Sequence, residues 1–221
     1  MTQNLSAKGQ AEIAYWGMRL RQQGQLSNDH FEFFYTTYFG LEKDFYRGRT
    51  VLDIGCGPRG SLEWADQAAL RVGLDPLAGV YRQIGTEGHR MSYLAGRAEQ
   101  MPLATAGFEV VTSFNSLDHV DHLAPVVAEI GRVLAPQGTF LLLTDIHRQP
   151  TVLEPSAYGW EVVTMFQPAL ELVEQRHFEY TVFSPEGYGD IYQSLQRGLA
   201  YDHADPRDRY GILAARFRKA G

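Results

Sequence analysis

Through the middle of the chain, apolar residues fall in short blocks bounded by polar or glycine-rich stretches. The blocks are TVLDI from Thr50, RVGLD from Arg71, SYLA from Ser92, EVVTSF from Glu109 and TFLLLTD from Thr139. Runs of this length, flanked by turn formers, predict buried strands. The stretches between them predict helices starting near Ser61, Ala78 and Asp121. In VVAEIGRVLAPQG the apolar positions recur at helical spacing, and Pro136 and Gly138 stop the helix. Strands alternating with helices imply an α/β fold with a mostly parallel sheet. After Asp145 the pattern changes. LELVEQRHFEYTVF and YGILAARFRK read as two long strands that close the sheet as an antiparallel hairpin with a helix in its connection. Pro155 and Ser156 are expected to open a further helix carrying Tyr158 and Trp160.

Residues 1–47 precede the first core strand and stand outside the alternation. They predict two helices, forming an N-terminal helical cap or lid on a domain spanning 48–221. The second helix covers DHFEFFYTTYFGLEKDFY, with Asp29 or Asn28 as its cap. Its aromatics, among them Phe31, Tyr35 and Tyr38, spread around more than one face. One face can pack on the sheet while another lines a cavity.

Composition narrows the picture. A chain of 221 residues suits one domain, or one domain with an added cap. With 26 acidic and 20 basic side chains, the net charge of −6 argues against a nucleic-acid or anionic-membrane partner. The single cysteine, Cys56, excludes an internal disulfide and a multi-cysteine metal site. No apolar run reaches membrane-spanning length, and the polar start MTQNLSAKGQ does not resemble a secretory signal. A cytoplasmic protein is the expectation.

The candidate chemistry begins at VLDIGCGPRG, residues 51–60. Glycines after a strand let a ligand approach the backbone, and a following helix would aim its N-terminus at that ligand. Asp75 ends the second strand, where a carboxylate can accept both ribose hydroxyls of an adenosine. These two features fit either NAD or S-adenosylmethionine (SAM). Three further segments are Ala98-Glu99 with Pro102, Phe108-Glu109-Val110-Val111, and Arg132 to Gly138. Together with the glycine turn, they make residues 48–145 resemble the class I SAM-dependent methyltransferases of the small-molecule branch. The resemblance implies a Rossmann-like, seven-stranded sheet and SAM as cofactor. Two departures stand out: Arg59 holds the place of the family's third glycine, with Gly60 one step later, and Glu109 replaces the usual aspartate.

Carried over residue by residue, the resemblance implies that Asp53, Gly55 and Gly57 shape the methionine pocket. It has Asp75-Pro76 meet the ribose, and Ala98 and Glu99 flank the adenine between Leu74 and Met101. Asn115 would lie near the methionine moiety. Arg59 either reaches the methionine carboxylate or is a solvent-exposed arginine. The fourth strand ends in SFNSLDHVDHL. There Asp118 could orient His119 as a general base; alternatively the histidines are polar loop residues and Asp121 caps the next helix. His122 reads as a loop residue. A metal held by Asp118, His119, Asp121 and His122 is discounted, since neighbours in sequence converge poorly on one ion and methyl transfer needs none. His147 ends the fifth strand at the same sheet edge. Tyr15, Trp16, Tyr35, Tyr38 and Trp160 could form an aromatic wall around a sulfonium.

Three functions follow. The leading one is in-line methyl transfer to a small-molecule acceptor. The second is a cyclase in which the SAM amine attacks its own chain, giving azetidine-2-carboxylate and methylthioadenosine. The third is a non-catalytic SAM-binding regulator. The oligomeric state is not legible.

Overall fold

The computed structural model describes residues 5–26, 28, 32–147, 149–151, 154–183 and 190–221. Seven strands form one sheet: β1 (Thr50–Ile54), β2 (Leu70–Asp75), β3 (Ser92–Ala95), β4 (Phe108–Phe114), β5 (Leu134–Ile146), β6 (Leu170–Glu179) and β7 (Gly211–Lys219). Their order is β3-β2-β1-β4-β5-β7-β6. The first five run parallel, and β7 is antiparallel to both β5 and β6. The order reverses beside β1, so the carboxyl ends of β1 and β4 flank the crevice where open α/β sheets bind ligands.

The pleat explains why these strands read as continuous apolar runs. Leu52, Ile54, Val111, Leu142 and Leu213 pack on one face, with Val126, Ile130 and Val133 of a helix at Leu123–Val133. Val51, Val110, Leu141, Leu143 and Ile212 pack on the other, with Phe34, Tyr35, Phe39 and Tyr46. Each of these strand residues is at most 3% exposed. Both faces being covered removes the polar alternation that a half-solvated sheet would show.

The N-terminal region is consequently two things. Helix α1 (Ala7–Gln23) is capped by Ser6, whose side chain accepts the Gly9 N–H. The expected second helix is broken into α2 (Glu32–Tyr35) and 3-10 turns at Thr37–Phe39 and Lys43–Tyr46. Gly40 is left-handed at φ 64, which ends the run. These pieces are part of the core rather than a cap over it. Asp29 and Phe31 lie outside the described residues. The side-chain amide of Asn28 donates to the Gly60 carbonyl.

Three further expectations are corrected. Residues 57–64 form successive turns instead of a helix near Ser61. The short link from β1 to β2 spends its first residues on Gly55, Gly57, Pro58 and Gly60, so no helix N-terminus faces the glycine turn. The helix expected from Asp121 starts at Leu123 with His122 as N-cap and no side-chain cap bond. Asp121 instead pairs with Arg97 at 2.6 Å. Pro155-Ser156 opens no helix; a 3-10 segment runs Trp160–Phe166, and Tyr158 bridges to His147. The remaining short helices are α3 (Ala78–Tyr81), α4 (Leu123–Val133) and α5 (Ile191–Arg197). No helix among the described residues is long and apolar enough to cross a membrane.

Candidate functional site

Asp53, the next-to-last residue of β1, is 2% exposed. Thr112 of β4 donates to Oδ1 at 2.6 Å, Tyr35 donates to Oδ2 at 3.1 Å, and Ser61 also donates to Oδ2. Burial pushes its pKa up to about 6, while the three hydroxyls pull the other way. Asp53 therefore ties the glycine turn, β4 and α2 together.

The turn it orders has two left-handed glycines, Gly55 at φ 72 and Gly57 at φ 56. A Cβ on Gly55 would lie 2.3 Å from the Ser116 Cβ. Only glycine lets the β1 and β4 loops approach this closely. Ser116 donates to the Ile54 carbonyl at 2.7 Å and locks that approach. Asn115 next to it sits at φ 50, strained for a side-chain-bearing residue.

Asp75 ends β2. Its Oδ2 accepts the Gly57 N–H at 3.2 Å and its Oδ1 accepts the Leu77 N–H at 2.8 Å. Each carboxylate oxygen has two lone-pair sites, so each can take one more donor. Burial raises its pKa, and the Leu77 amide, the Tyr81 hydroxyl and the Gly57 amide oppose that shift. Pro76, between Asp75 and Leu77 in sequence, has no N–H of its own to offer. A diol with two adjacent hydroxyls fits this donor requirement, so the residues present suit the ribose of SAM. Leu74, Ala98 and Met101 cluster in the apolar core beside it. Glu99 accepts the Asp121 N–H at 3.0 Å and pairs with Arg97 at 2.9 Å, which holds the β3 and β4 loops together.

Helix α1 spans these loops. Trp16 lies 3.1 Å from where a Gly57 Cβ would be. Tyr15 meets the Trp16 ring edge-on at 5.1 Å. The Arg59 guanidinium sits over Trp16, 5.5 Å from the ring centroid, and donates to Gln23 at 2.9 Å. At the other end, Glu12 Oε1 lies 3.1 Å from His119 Nδ1, and Lys8 donates to the His119 carbonyl. Arg59, read from sequence either as meeting the methionine carboxylate or as solvent-exposed, is 8% exposed and fastens α1, and the carboxylate holding His119 is Glu12 rather than Asp118. Burial alone would lower the His119 pKa, but Glu12 and the Asp118 charge outweigh it and raise it.

The carboxyl ends of β4 and β5 form a second carboxylate cluster. Asp118 is fully buried, and neither of its oxygens has a hydrogen-bond partner among the described residues. Asp145 Oδ1 is in the same position. Burial raises the pKa of both groups. Ser156 donates to the Val120 carbonyl at 2.7 Å, and its N–H donates to the Asp118 carbonyl at 3.0 Å, bringing Glu154 alongside. His147 Nε2 lies 3.9 Å from Asp118 Oδ2. Glu12, Glu154 and Asp145 were not singled out from sequence. Only Asp145 gave a signal, as the third acidic residue closing a strand.

The expected aromatic wall is divided among separate places. Trp16 and Tyr15 stay with α1 at the glycine turn. Tyr35 packs on Phe114 at 4.3 Å below Asp53. Tyr38 faces β6, against Phe178 at 5.5 Å and under Arg176 at 4.9 Å. Trp160 stacks on His177 at 4.1 Å, with Tyr201 at 4.7 Å. The break at Thr36–Gly40 turns Tyr38 away from Tyr35. Trp160 and His147 do share a concavity of about 430 Å³, lined also by Tyr158, Tyr201 and Arg209.

Residues 52–142 match a family model described as a methyltransferase domain. A ubiquinone biosynthesis O-methyltransferase from Pseudomonas paraeruginosa is 34% identical over 127 residues, covering 55% of this chain and 54% of the relative. A malonyl-[acyl-carrier protein] O-methyltransferase from Enterobacter lignolyticus is 34% identical over 95 residues, covering 42% and 38%. The N-methyltransferase NodS from Bradyrhizobium japonicum superposes with a TM-score of 0.57 at 18% identity, over 88% of this chain and 99% of that one. Its likeness supports the fold. The chain spans about half or less of the length of these curated relatives. These matches, with the glycine turn and Asp75, support a SAM-dependent methyltransferase domain over residues 52–142, with SAM as its cofactor.

Proposed function

We propose that this chain transfers a methyl group from SAM to an oxygen atom of a small-molecule acceptor. The observation that carries the reading is the Asp75 carboxylate, bonded to the Gly57 amide and able to take two more donors. The bound cofactor supplies a methyl group already activated on a sulfonium, so the protein's task is alignment and exclusion of water. Asp53, Gly55 and Gly57 hold the turn on which the methionine end rests, Asp75-Pro76 receives the ribose, and Ala98 and Glu99 border the adenine. Asn115 sits between this end and the β4–β5 cluster. Helix α1 serves as the lid, with Trp16 over the turn. The acceptor enters through the concavity lined by His147 and Trp160, and His147 links that concavity to Asp118, 3.9 Å away. The two O-methyltransferase relatives support an oxygen acceptor, and the net charge of −6 favours a small molecule over a nucleic acid.

The test is product analysis by mass spectrometry. Adenosylhomocysteine formed only when a phenol or carboxylic acid is added supports the reading. Methylthioadenosine formed from SAM alone would replace it with intramolecular cyclisation. Saturable binding without turnover across an acceptor panel would make the chain a regulator. Asp75→Ala is expected to weaken SAM binding about 100-fold, the loss of two charge-assisted hydrogen bonds.

A further inference from the structure

We propose that Asp118, His119 and Glu154 form a binding site for one divalent transition-metal ion, with His147 as a further donor. One ligand atom from each of the first three lies within 4.8 Å of the other two. Donors about 2.1 Å from a common ion are about 3 to 4 Å apart, so a small inward movement completes the shell.

The chemistry of the donors supports the same occupant. Asp118 is 0% exposed and both its oxygens lack a partner among the described residues. A buried carboxylate in that position is costly unless a cation faces it. Lys8 does not serve, because its ammonium is spent on the His119 carbonyl and on Asp121 at 3.9 Å. The two imidazoles are held as ligands are. Glu12 accepts from Nδ1 of His119, which leaves the lone pair of the neutral ring on Nε2. His147 Nδ1 donates to the Gln149 carbonyl at 2.8 Å, which leaves its buried, unpartnered Nε2 as the basic nitrogen. That nitrogen points at two carboxylates, 3.9 Å from Asp118 Oδ2 and 4.0 Å from Glu154 Oε2. Lone pairs facing carboxylates repel unless a cation lies between them.

Mixed imidazole and carboxylate donors suit Zn²⁺, Co²⁺ or Mn²⁺, whereas Mg²⁺ and Ca²⁺ take oxygen. The spacing admits a bare ion but not an alkylated ammonium group, whose contacts to oxygen are longer and whose carbons need space. Residues 118–122 by themselves converge poorly on one ion. Glu154 and His147 arrive from beyond β5, and neither Asp121 nor His122 takes part. The proposal rests on these side chains alone; only the ion's position at the acceptor end rests on the transferase reading.

The test is titration of the chelator-treated full chain with Zn²⁺ by calorimetry and with Co²⁺ by visible absorption, without SAM. The expected result is one equivalent bound at about 10 µM or tighter, Co²⁺ ligand-field bands, and a melting temperature raised by Zn²⁺. Asp118→Asn should weaken binding at least about 10-fold and abolish the melting shift. If that variant fails to fold, Glu154→Gln carries the same comparison. No saturable uptake below about 1 mM, equal affinity in wild type and variant, or uptake of tetramethylammonium in place of the ions would overturn the site. None of these outcomes touches the transferase reading, which is scored by products.

Discussion

Two sets of buried carboxylates close neighbouring strands of one sheet, and they are treated in opposite ways. Asp53 and Asp75, at the ends of β1 and β2, accept bonds from Thr112, Tyr35, Ser61, Gly57 and Leu77. Asp118 and Asp145, at the ends of β4 and β5, bury oxygens that no described residue satisfies. Burial raises the pKa in all four cases. The shift alone therefore does not separate a carboxylate that organises the fold from one kept for a ligand. Hydrogen-bond satisfaction does, because an unmet buried acceptor costs stability that only a function or a missing cation explains.

The largest effect should come where the satisfied end is most tightly packed. Gly55→Ala places a Cβ against Ser116 and forces a left-handed alanine, costing about 4 kcal/mol from overpacking plus backbone strain. Denaturant unfolding of the variant reads this directly, and a cost below about 1 kcal/mol would mean that the two loops are not in contact.

Next comes the pH dependence of Asp53. Its folded pKa is above the unfolded value, so folding is favoured by protonation, and this contribution is fully present below about pH 4. It is lost as pH rises from about 4 to about 6, a change of about 3 kcal/mol. Relative to Asp53→Asn, the wild type should therefore lose about 3 kcal/mol between pH 4 and pH 7. A constant difference across that range would show that the carboxylate is not buried as described.

A pair of variants sets the two ends against each other. Thr112→Val strips a donor from Asp53 and should cost about 2 kcal/mol. Asp118→Asn, in metal-free buffer, should stabilise by about 1 to 2 kcal/mol, because it removes an uncompensated charge. Effects of the same sign would erase the distinction. The smallest expected change is at α1. Gln23→Ala removes one hydrogen-bond partner of Arg59 and should cost about 0.5 to 1 kcal/mol. It should appear as faster amide exchange confined to α1, with β1 and β4 unchanged.

Much of the fold was legible because its signals are local. Blocks such as TVLDI and TFLLLTD are short, apolar on both faces and bounded by Gly, Pro or Asp, so buried parallel strands follow from pattern alone. The 170–179 and 211–219 strands were legible as an antiparallel pair from their length and the polar, turn-rich stretch between them. The helix expected to start near Ser61 is replaced by turns over residues 57–64, because the glycines and Pro58 consume the link. The aromatic run from Phe33 to Phe39 was read as one helix because its composition carries no mark of the break at Thr36.

The site divides along the same line. Asp53, Gly55, Gly57 and Asp75 lie at strand ends, where strand order alone delivers them to one edge of the sheet. The sequence by itself determined that edge, the cofactor class that suits it and the acidic residues that close the strands. Tertiary structure alone decided that Glu12 holds His119, that Arg59 fastens α1, and that Glu154 and His147 converge on Asp118. Those partnerships join segments separated by tens to more than a hundred residues, and each depends on burial and on which donors remain unspent once the chain has folded.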